Sequence, residues 1–465
     1  ASLILVSNAS PVGGASPSIL RADEFRILDL QASNPLKRKL IASTLQTPYF
    51  YFSFEADLTR PLLNEPSGDQ GGPSYLYENS RKEYRRGAWD SMLGLFLTPL
   101  IHGAVLTFKT PINQKNLRLT IISRRSTQRV EHAVANHVET EQILRLEERP
   151  GNLLAESSFL QTRGSIPLYW HQTPDIPLGA LQSPLCQADE ALWGLSDLCE
   201  PRQSEEGEGR MEAAFAKTGL HYVPFDFHAE CKKAKGGWAQ LNKLIRLLQK
   251  DFEAYGYYFR ETTLFGKEEE LQKGVFRTNC MDCLDRTNVV QSLLATEHIN
   301  SVWDSILNYP TFQRLYKNAW ADHANLISVQ YSGTGALKTD FTRTGVRTKW
   351  GLLQDGWNSA NRYVFNNFCD GFRTDALNYF VGALPLSSIA AKRNQKDGFF
   401  LRSFPSLLKG FIAVFMLMLI LLSPEDGKPL FVDIQAEWTC FVDYPTDYDP
   451  QATPPLQPGR KKASS

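Results

Sequence analysis

The chain is poor in cysteine, with 7 among 465 residues: Cys186, Cys199, Cys231, Cys280, Cys283, Cys369 and Cys440. An odd, sparse set in a long chain excludes a disulfide-built scaffold and fits a reducing compartment. Net charge is also missing, with 50 Lys plus Arg against 50 Asp plus Glu. A general nucleic-acid binder carries a basic excess, so nucleic acid is not an expected partner. The short apolar run at residues 3–6 has no basic segment before it, so no secretory signal is read there. No internal repeat is found. What is there is the profile of a folded protein: 42% apolar, 11% aromatic and 22% charged residues, over a length suited to two or three domains.

The first third reads as β-rich. Phe50, Phe52 and Phe54 alternate with Tyr51, Ser53 and Glu55, and Leu117, Leu119 and Ile121 alternate with Arg118 and Thr120. Residues 104–108 form a short apolar run before Pro111. Residues 61–74 (PLLNEPSGDQGGPS) are a Gly/Pro-rich loop. Further on, FLQTRGSIPLYW (159–170) reads as two short strands around a Gly-Ser turn, and residues 172–210, Pro-rich then acidic, as loop or insertion. Trp238, Leu241, Leu244, Ile245, Leu248, Phe252 and Tyr255 recur at helical spacing. Phe312, Leu315, Tyr316, Ala319 and Ile327 mark a second helix.

The tail changes character. The 13 residues 410–422 (GFIAVFMLMLILL) contain no polar side chain. As helix they span only about 20 Å; extension back to Phe404 gives about 28 Å, close to a hydrocarbon core of about 30 Å. Lys409 lies inside this stretch and can snorkel to the interface. A buried core helix is the competing assignment. An apolar surface on every side favours the membrane. So do Lys392, Arg393, Lys396, Arg402 and Lys409 ahead of the run, against Lys428 alone in the twenty residues after it. The positive-inside rule then puts the large N-terminal part in the cytosol. The Pro-rich residues 444–465 read as disordered.

Chemistry concentrates in KGVFRTNCMDCLDRTNVVQSLLATEH (273–298). A short strand at 274–277 precedes it, and Val289, Val290, Leu293 and Leu294 give a helical stripe after it. Between them Cys280 and Arg286 stand with five residues in the gap, the spacing of a cysteine-dependent phosphatase loop. The intervening amides can curl inward as an anion nest, and the helix N-terminus adds positive potential at the same point. Arg286 offers a planar fork for two phosphate oxygens. In such a field a thiol of pKa about 8.5 falls to about 3.5–7.5 and becomes a nucleophile. Asp282 and Asp285 are both candidates to protonate the leaving alkoxide, and the sequence does not choose between them.

Plainer roles compete for the same residues. Cys280 and Cys283 form C-x-x-C, a zinc or redox pattern, but no second C-x-x-C and no histidine at finger spacing accompany it. A buried structural cysteine fits poorly beside Asp282, Asp285 and Arg286. A bare Cys-five-Arg pairing arises by chance, so the surrounding residues must decide. RTNCMDCLDRTN (277–288) resembles the signature of the Sac-domain phosphoinositide phosphatases. The likeness extends through HVETEQI (137–143), QTRGSIPLYW (161–170), FDFHAECK (225–232), KNAWADHAN (317–325), TGALKTDFTRTGVRT (334–348), DGWNS (355–359) and NNFCDGFR (366–373), in family order. It departs between Trp170 and Phe225, where the family has a further strand, and in the tail, where one apolar span stands in place of a hairpin of two.

The resemblance implies an α/β protein: a β-rich N-terminal Sac subdomain (1–130) packed on a catalytic α/β subdomain (131–390) with a cysteine-phosphatase P-loop. A C-terminal tail (391–465) follows, with a membrane segment at about 404–422. It implies hydrolysis of phosphatidylinositol monophosphates, chiefly the 4-phosphate, with no metal or other cofactor. By position Cys280 is the nucleophile, Arg286 the phosphate-binding arginine, and Asp282 and Asp285 the loop acids. Met281, Cys283, Leu284, Thr287 and Asn288 complete the substrate loop. The likeness to the membrane-anchored branch implies the endoplasmic reticulum and Golgi membrane, a cytosol-facing domain and a lipid substrate in the cytosolic leaflet. Independently, KTDFTRTGVRTK (338–349) holds Lys338, Arg343, Arg347 and Lys349 against Asp340 alone, a basic strip suited to an anionic lipid surface or, more plainly, a solvated face. His228 and His323 read as hydrogen-bonded structural residues. Two rival functions stay open: a catalytically silent phosphoinositide-binding scaffold, and a phosphatase for phosphoproteins or soluble inositol phosphates.

Overall fold

Within a strand, apolar residues adjacent in sequence are both buried only where the sheet is covered on two faces. The strands around residue 120 are of this kind. Ile121 packs with Leu119 and Leu144 in one cluster, while its neighbour Ile122 packs with Val105 and Ile143 in another. A computed structural model describes residues 2–13, 18–29, 34–62, 98–112, 114–126, 137–149, 152–164, 195–199, 221–225, 227–231, 240–263, 266–279, 284–344, 348–365, 370–380 and 384–394. Strands β1 (Ser2–Val12), β2 (Ile19–Asp29), β3 (Phe50–Phe52), β4 (Ile101–Ile112), β5 (Lys115–Ser126), β6 (His137–Arg149) and β7 (Asn152–Gly164) lie side by side in chain order, each antiparallel to the next. Beyond β7 the sheet changes sense. β12 (Val275–Asn279) runs parallel to β7, followed by β8 (Leu195–Cys199) and β9 (Tyr222–Pro224), also parallel. The hairpin of β10 (Tyr258–Thr263) and β11 (Gly266–Glu270) pairs with the first half of the same β7 edge, from Ala155 to Ser158. The second half of that edge, from Gln161 to Gly164, pairs with β12.

The helices of the described residues are α1 (Pro35–Leu45), α2 (Phe227–Glu230), α3 (Leu241–Tyr255), α4 (Asp285–Trp303), α5 (Pro310–Ser332), α6 (Thr339–Thr344), α7 (Lys349–Val364), α8 (Asp370–Phe380) and α9 (Leu386–Asn394). The described residues from 40 to 380, with β1 and β2, form one compact unit, and α9 falls in a second. The α3 stripe of Leu241, Leu244, Ile245 and Leu248 packs on Phe159 of β7 and Phe276 of β12. Ala295 and Ile299 of α4 join Phe312, Tyr316 and Trp320 of α5 on Leu117, Leu119 and Leu144. Burial of each such large apolar side chain contributes about 1.5–3 kcal/mol. Pro310 opens α5, where a missing N–H does no harm, and Gly333, at φ 75°, ends it in the left-handed conformation.

Several local expectations needed correction. Phe50–Phe52 is a three-residue strand buried on both faces, so Tyr51 is core and the alternation through Glu55 does not continue as strand. The run at 104–108 belongs to a longer strand that includes Pro111, placed near the hairpin end where a lost ladder bond is tolerated. Residues 195–199, inside the stretch read as loop, form β8 between β12 and β9. Five residues flanked by prolines and acids carry too short a pattern to stand out. The first half of FLQTRGSIPLYW ends β7 at Gly164; residues 165–170 lie outside the described residues. So do most of the loop at 61–74 and all of the apolar run at 404–422. Among the described residues, no helix is long and apolar enough to cross a membrane.

Candidate active site

The change from antiparallel to parallel pairing brings the C-terminal ends of β7 and β12 together, with Asn279 opposite Gly164. In α/β sheets ligands bind outside the carboxyl ends of strands at such switch points. Residues 280–283 connect Asn279 to Leu284, and α4 starts at Asp285. The first N–H groups of α4 therefore lie at the end of β12, next to the C-terminus of β7. That is an anion-favouring place by geometry alone.

Buried arginines hold this junction. Arg163, at the end of β7 and 1% exposed, donates through Nη2 to the Leu284 carbonyl at 2.9 Å and through Nη1 to Asn288 Oδ1. Leu284 O also accepts the Asn288 N–H at 2.9 Å, so the entry to α4 is tied to β7 at two points. Arg277 of β12 donates through Nε to Asn279 Oδ1 at 3.0 Å. Asp285 is engaged at both oxygens. Oδ1 accepts the Leu337 N–H at 2.6 Å, and Oδ2 pairs with Arg362 Nη1 of α7 at 2.8 Å. Arg362 reaches on to Ser328 Oγ at 3.1 Å and the Gly335 carbonyl at 3.3 Å. The 334–338 turn is fixed from the other side as well: Asn325 Oδ1 accepts the Ala336 N–H at 3.1 Å, and Asp355 Oδ1 accepts the Lys338 N–H at 2.9 Å. One carboxylate at the helix N-terminus thus gathers α5, α7 and the intervening turn around the strand–helix junction.

A strand–loop–helix junction of this form admits several chemistries, and comparison with known proteins narrows them. Residues 1–191 match the SacI homology domain. The chain is 35% identical over 443 residues to the phosphatidylinositol-3-phosphatase SAC1-B of Danio rerio, covering 82% of this chain and 73% of that protein. It is 36% identical over 433 residues to the phosphatidylinositol-3-phosphatase SAC1 of Drosophila melanogaster, covering 82% and 71%. The SAC1 phosphatase of Saccharomyces cerevisiae is 36% identical over 400 residues, covering 74% and 63%. The chain belongs to the Sac-domain phosphoinositide phosphatases.

Within this Sac domain the sequence-derived residues fall into three groups. Leu284, Asp285, Arg286, Thr287 and Asn288 lie together at the start of α4: Leu284, Thr287 and Asn288 are buried, Asp285 and Arg286 half-buried. Asn288 turns its Oδ1 to Arg163, inside the protein. Lys338 and Arg343 lie on the adjoining turn and α6, and Arg343 is committed to α5 through Asp322 at 2.6 Å and Asn318 at 3.2 Å. Cys280, Met281, Asp282, Cys283 and Arg347 lie outside the described residues. Sequence reasoning misses Arg163 and Arg362. Arg163 sits in the QTRGSIPLYW block, but nothing local separates a buried strand arginine from a surface one. Arg362 meets Asp285 only in three dimensions. Among the described residues no three His, Cys, Asp or Glu side chains stand together as a metal site would need.

Two other polar features of the Sac domain are structural. His298 of α4 bonds Ser157 Oγ at 2.8 Å and Gln142 Nε2 at 3.2 Å, and His323 of α5 bonds Ser123 Oγ at 2.6 Å. Burial pushes both imidazoles down to about 3, so they are neutral in the folded protein. A cavity of about 330 Å³ lies against β4, β5 and β6, lined by Ile19, Leu58, Thr107, Arg118, Arg124 and Glu141 among others. Its Arg124 pairs with Glu141 at 2.7 Å, and its lining includes none of the junction residues.

Proposed function

We propose that this chain removes phosphate from phosphatidylinositol monophosphates, chiefly the 4-phosphate, through a phosphocysteine intermediate. The single observation that carries the mechanism is Asp285. Both of its oxygens are occupied, by a backbone N–H and by the Arg362 guanidinium. A carboxylate whose two oxygens are both occupied by donors is suited to positioning the helix start, which supports Asp282 as the general acid. The Cys280 thiolate attacks phosphorus, and the bond to the ring oxygen breaks. Asp282 delivers a proton to that oxygen. The amides of the loop, the α4 N-terminus and Arg286 hold the charge on the transferring phosphoryl group. Water then attacks the phosphocysteine, with Asp282 taking its proton, and releases phosphate and the thiolate. The step uses this chain's own residues throughout.

The same proposal places the enzyme on endoplasmic reticulum and Golgi membranes, anchored through residues 404–422, with its catalytic part in the cytosol and its substrate in the cytosolic leaflet. The basic strip at 338–349 supports an anionic surface as its working environment. The relatives named above carry the 3-phosphate in their names, so ring position is the first thing to measure. Phosphate release from vesicles holding the 3-, 4- or 5-monophosphate, with Cys280→Ser as blank, tests the proposal. The expected order puts the 4-phosphate first and the serine protein at background. Turnover by Cys280→Ser equal to that of the unaltered protein would refute the phosphocysteine.

A further inference from the structure

Helix α7 is inside out. Its inward stripe has no large apolar side chain: Gly351 and Asn358 are buried and Asp355 and Arg362 half-buried, spaced at three and four residues. Asp355 bonds the Lys338 N–H and Arg362 bonds Asp285. Its outer side is apolar. Trp350 is 55% exposed, Leu352 59% and Leu353 49%, and Trp357, one turn beyond Leu353, is half-buried. Among the described side chains of α7, the other exposed positions, Gln354, Gly356, Ser359 and Ala360, carry no charge. A surface helix in water has the opposite arrangement, with its apolar stripe toward the core. An uncharged outer face with tryptophan and leucines at its start fits the boundary of a lipid layer.

The position of this face matters as much as its composition. Thr348 caps α7 by accepting the Gly351 N–H at 2.9 Å, and Asp340 Oδ2 accepts the Thr348 N–H at 2.8 Å. Gly351 seats directly on Asp340; a Cβ there would lie 2.0 Å from Oδ2. Lys338 bonds Asp355, and the preceding Leu337 N–H bonds Asp285. The exposed turn of α7 is therefore joined by short hydrogen bonds to the residue next to Arg286. In sequence the segment leading into α7 holds Lys338, Arg343, Arg347 and Lys349 against Asp340 alone, a basic lead-in suited to anionic headgroups, with Arg343 paired to Asp322 of α5.

We propose that the outer face of α7, led by Trp350, Leu352 and Leu353, inserts into the interfacial layer of an anionic membrane and sets the phosphate-binding junction at headgroup height. The surface rests on the lipid substrate proposed above, and it goes beyond an anchor: an anchor keeps the protein near the bilayer, whereas this face orients it. The full chain, reconstituted in vesicles of phosphatidylcholine with phosphatidylserine, provides the test. Bromine-labelled lipid should quench the tryptophan emission, and Trp350→Phe should remove a measurable part of that quenching. Trp350→Ser/Leu352→Ser/Leu353→Ser should hydrolyse a soluble short-chain phosphatidylinositol phosphate at the unaltered rate while losing at least about tenfold on the same headgroup in vesicles. Leu353→Gln alone, with a smaller loss in the same sense, serves if the triple variant is poorly folded. Equal losses on both substrates, or Trp350 emission that is blue-shifted yet untouched by the bromolipid because protein covers it, would overturn the proposal. Absence of turnover in the unaltered chain would count against the enzyme assignment, and the quenching would still decide the surface.

Discussion

Removal of the Arg362 side chain is the most informative perturbation of the junction. Arg362 and Asp285 are 11% and 10% exposed, and their atoms meet at 2.8 Å. Arg362→Ala leaves the carboxylate with the Leu337 N–H alone, and breaking one side of a buried pair costs about 3–5 kcal/mol. Arg362→Lys keeps the charge but loses the fork that also reaches Ser328 and Gly335, at about 0.5–1.5 kcal/mol per neutral hydrogen bond. The double variant Asp285→Asn/Arg362→Ala no longer buries an unpaired charge, so it should recover about 2 kcal/mol relative to the sum of the singles. Activity should fall in parallel, because Asp285 is joined in sequence to Arg286, and a misplacement of about 1 Å at a reacting centre costs about 100-fold. Urea unfolding followed by tryptophan emission gives the coupling energy. Phosphate release from a soluble short-chain substrate gives kcat and KM. Single-variant effects on stability that simply add, together with an unaltered kcat for Arg362→Ala, would show that the pair holds nothing of consequence.

Leaving-group dependence separates the two aspartates. Asp282→Asn should depress hydrolysis of an inositol phosphate far more than that of an aryl phosphate, whose phenolate departs without help, whereas Asp285→Asn should depress both alike; the reverse pattern would exchange their roles. Acid should destabilise the fold through three buried histidines, His102, His298 and His323, each pushed down to about 3 chiefly by burial. Their unfolded value is about 6.5, so the stability they confer is complete above pH 6.5 and is lost as pH falls toward 3, at about 1.4 kcal/mol per histidine per pH unit. The three together give a loss on the order of 4 kcal/mol by pH 5.5. Urea midpoints at pH 7.5, 6.5 and 5.5 measure this, and His298→Gln should flatten the slope by about one proton; midpoints independent of pH over that range would contradict it.

Much of this was legible in the amino-acid order, and the part that was not has a physical pattern. The stripes of α3 and α5 announced themselves because their buried faces repeat over four and six turns. Alternation around Leu119 gave β5, and the short strand and helical stripe read on either side of residues 280–284 gave β12 and α4. Strand β8 was hidden because five residues carry no period, and its partners β12 and β9 are supplied from elsewhere in the chain. Arg163 and Arg362 were hidden for a different reason. Their meaning lies in what they touch, Leu284 and Asn288 for one and Asp285 for the other, across sequence separations of 121, 125 and 77 residues. Helix α7 was not read from the sequence at all. Its inward stripe has no large apolar side chain and its outer face is apolar, so a reading by hydrophobic pattern would have turned it to face the wrong way.

Strand β7 belongs to two pairing systems at once. One edge completes the antiparallel run with β6, and the other is divided between the β10–β11 hairpin and β12. A gene cut between Arg149 and Asn152 would leave β7 with a bare edge along its whole length, and one cut after Gly164 would take from β12 the strand that aligns it. Dissection of the enzyme into a separately expressed front half and chemical half is therefore blocked by a shared structural member. Fusion partners and affinity handles belong at the ends of the chain, and a split reporter built from the two halves should regain phosphatase activity only when both pieces are present during folding.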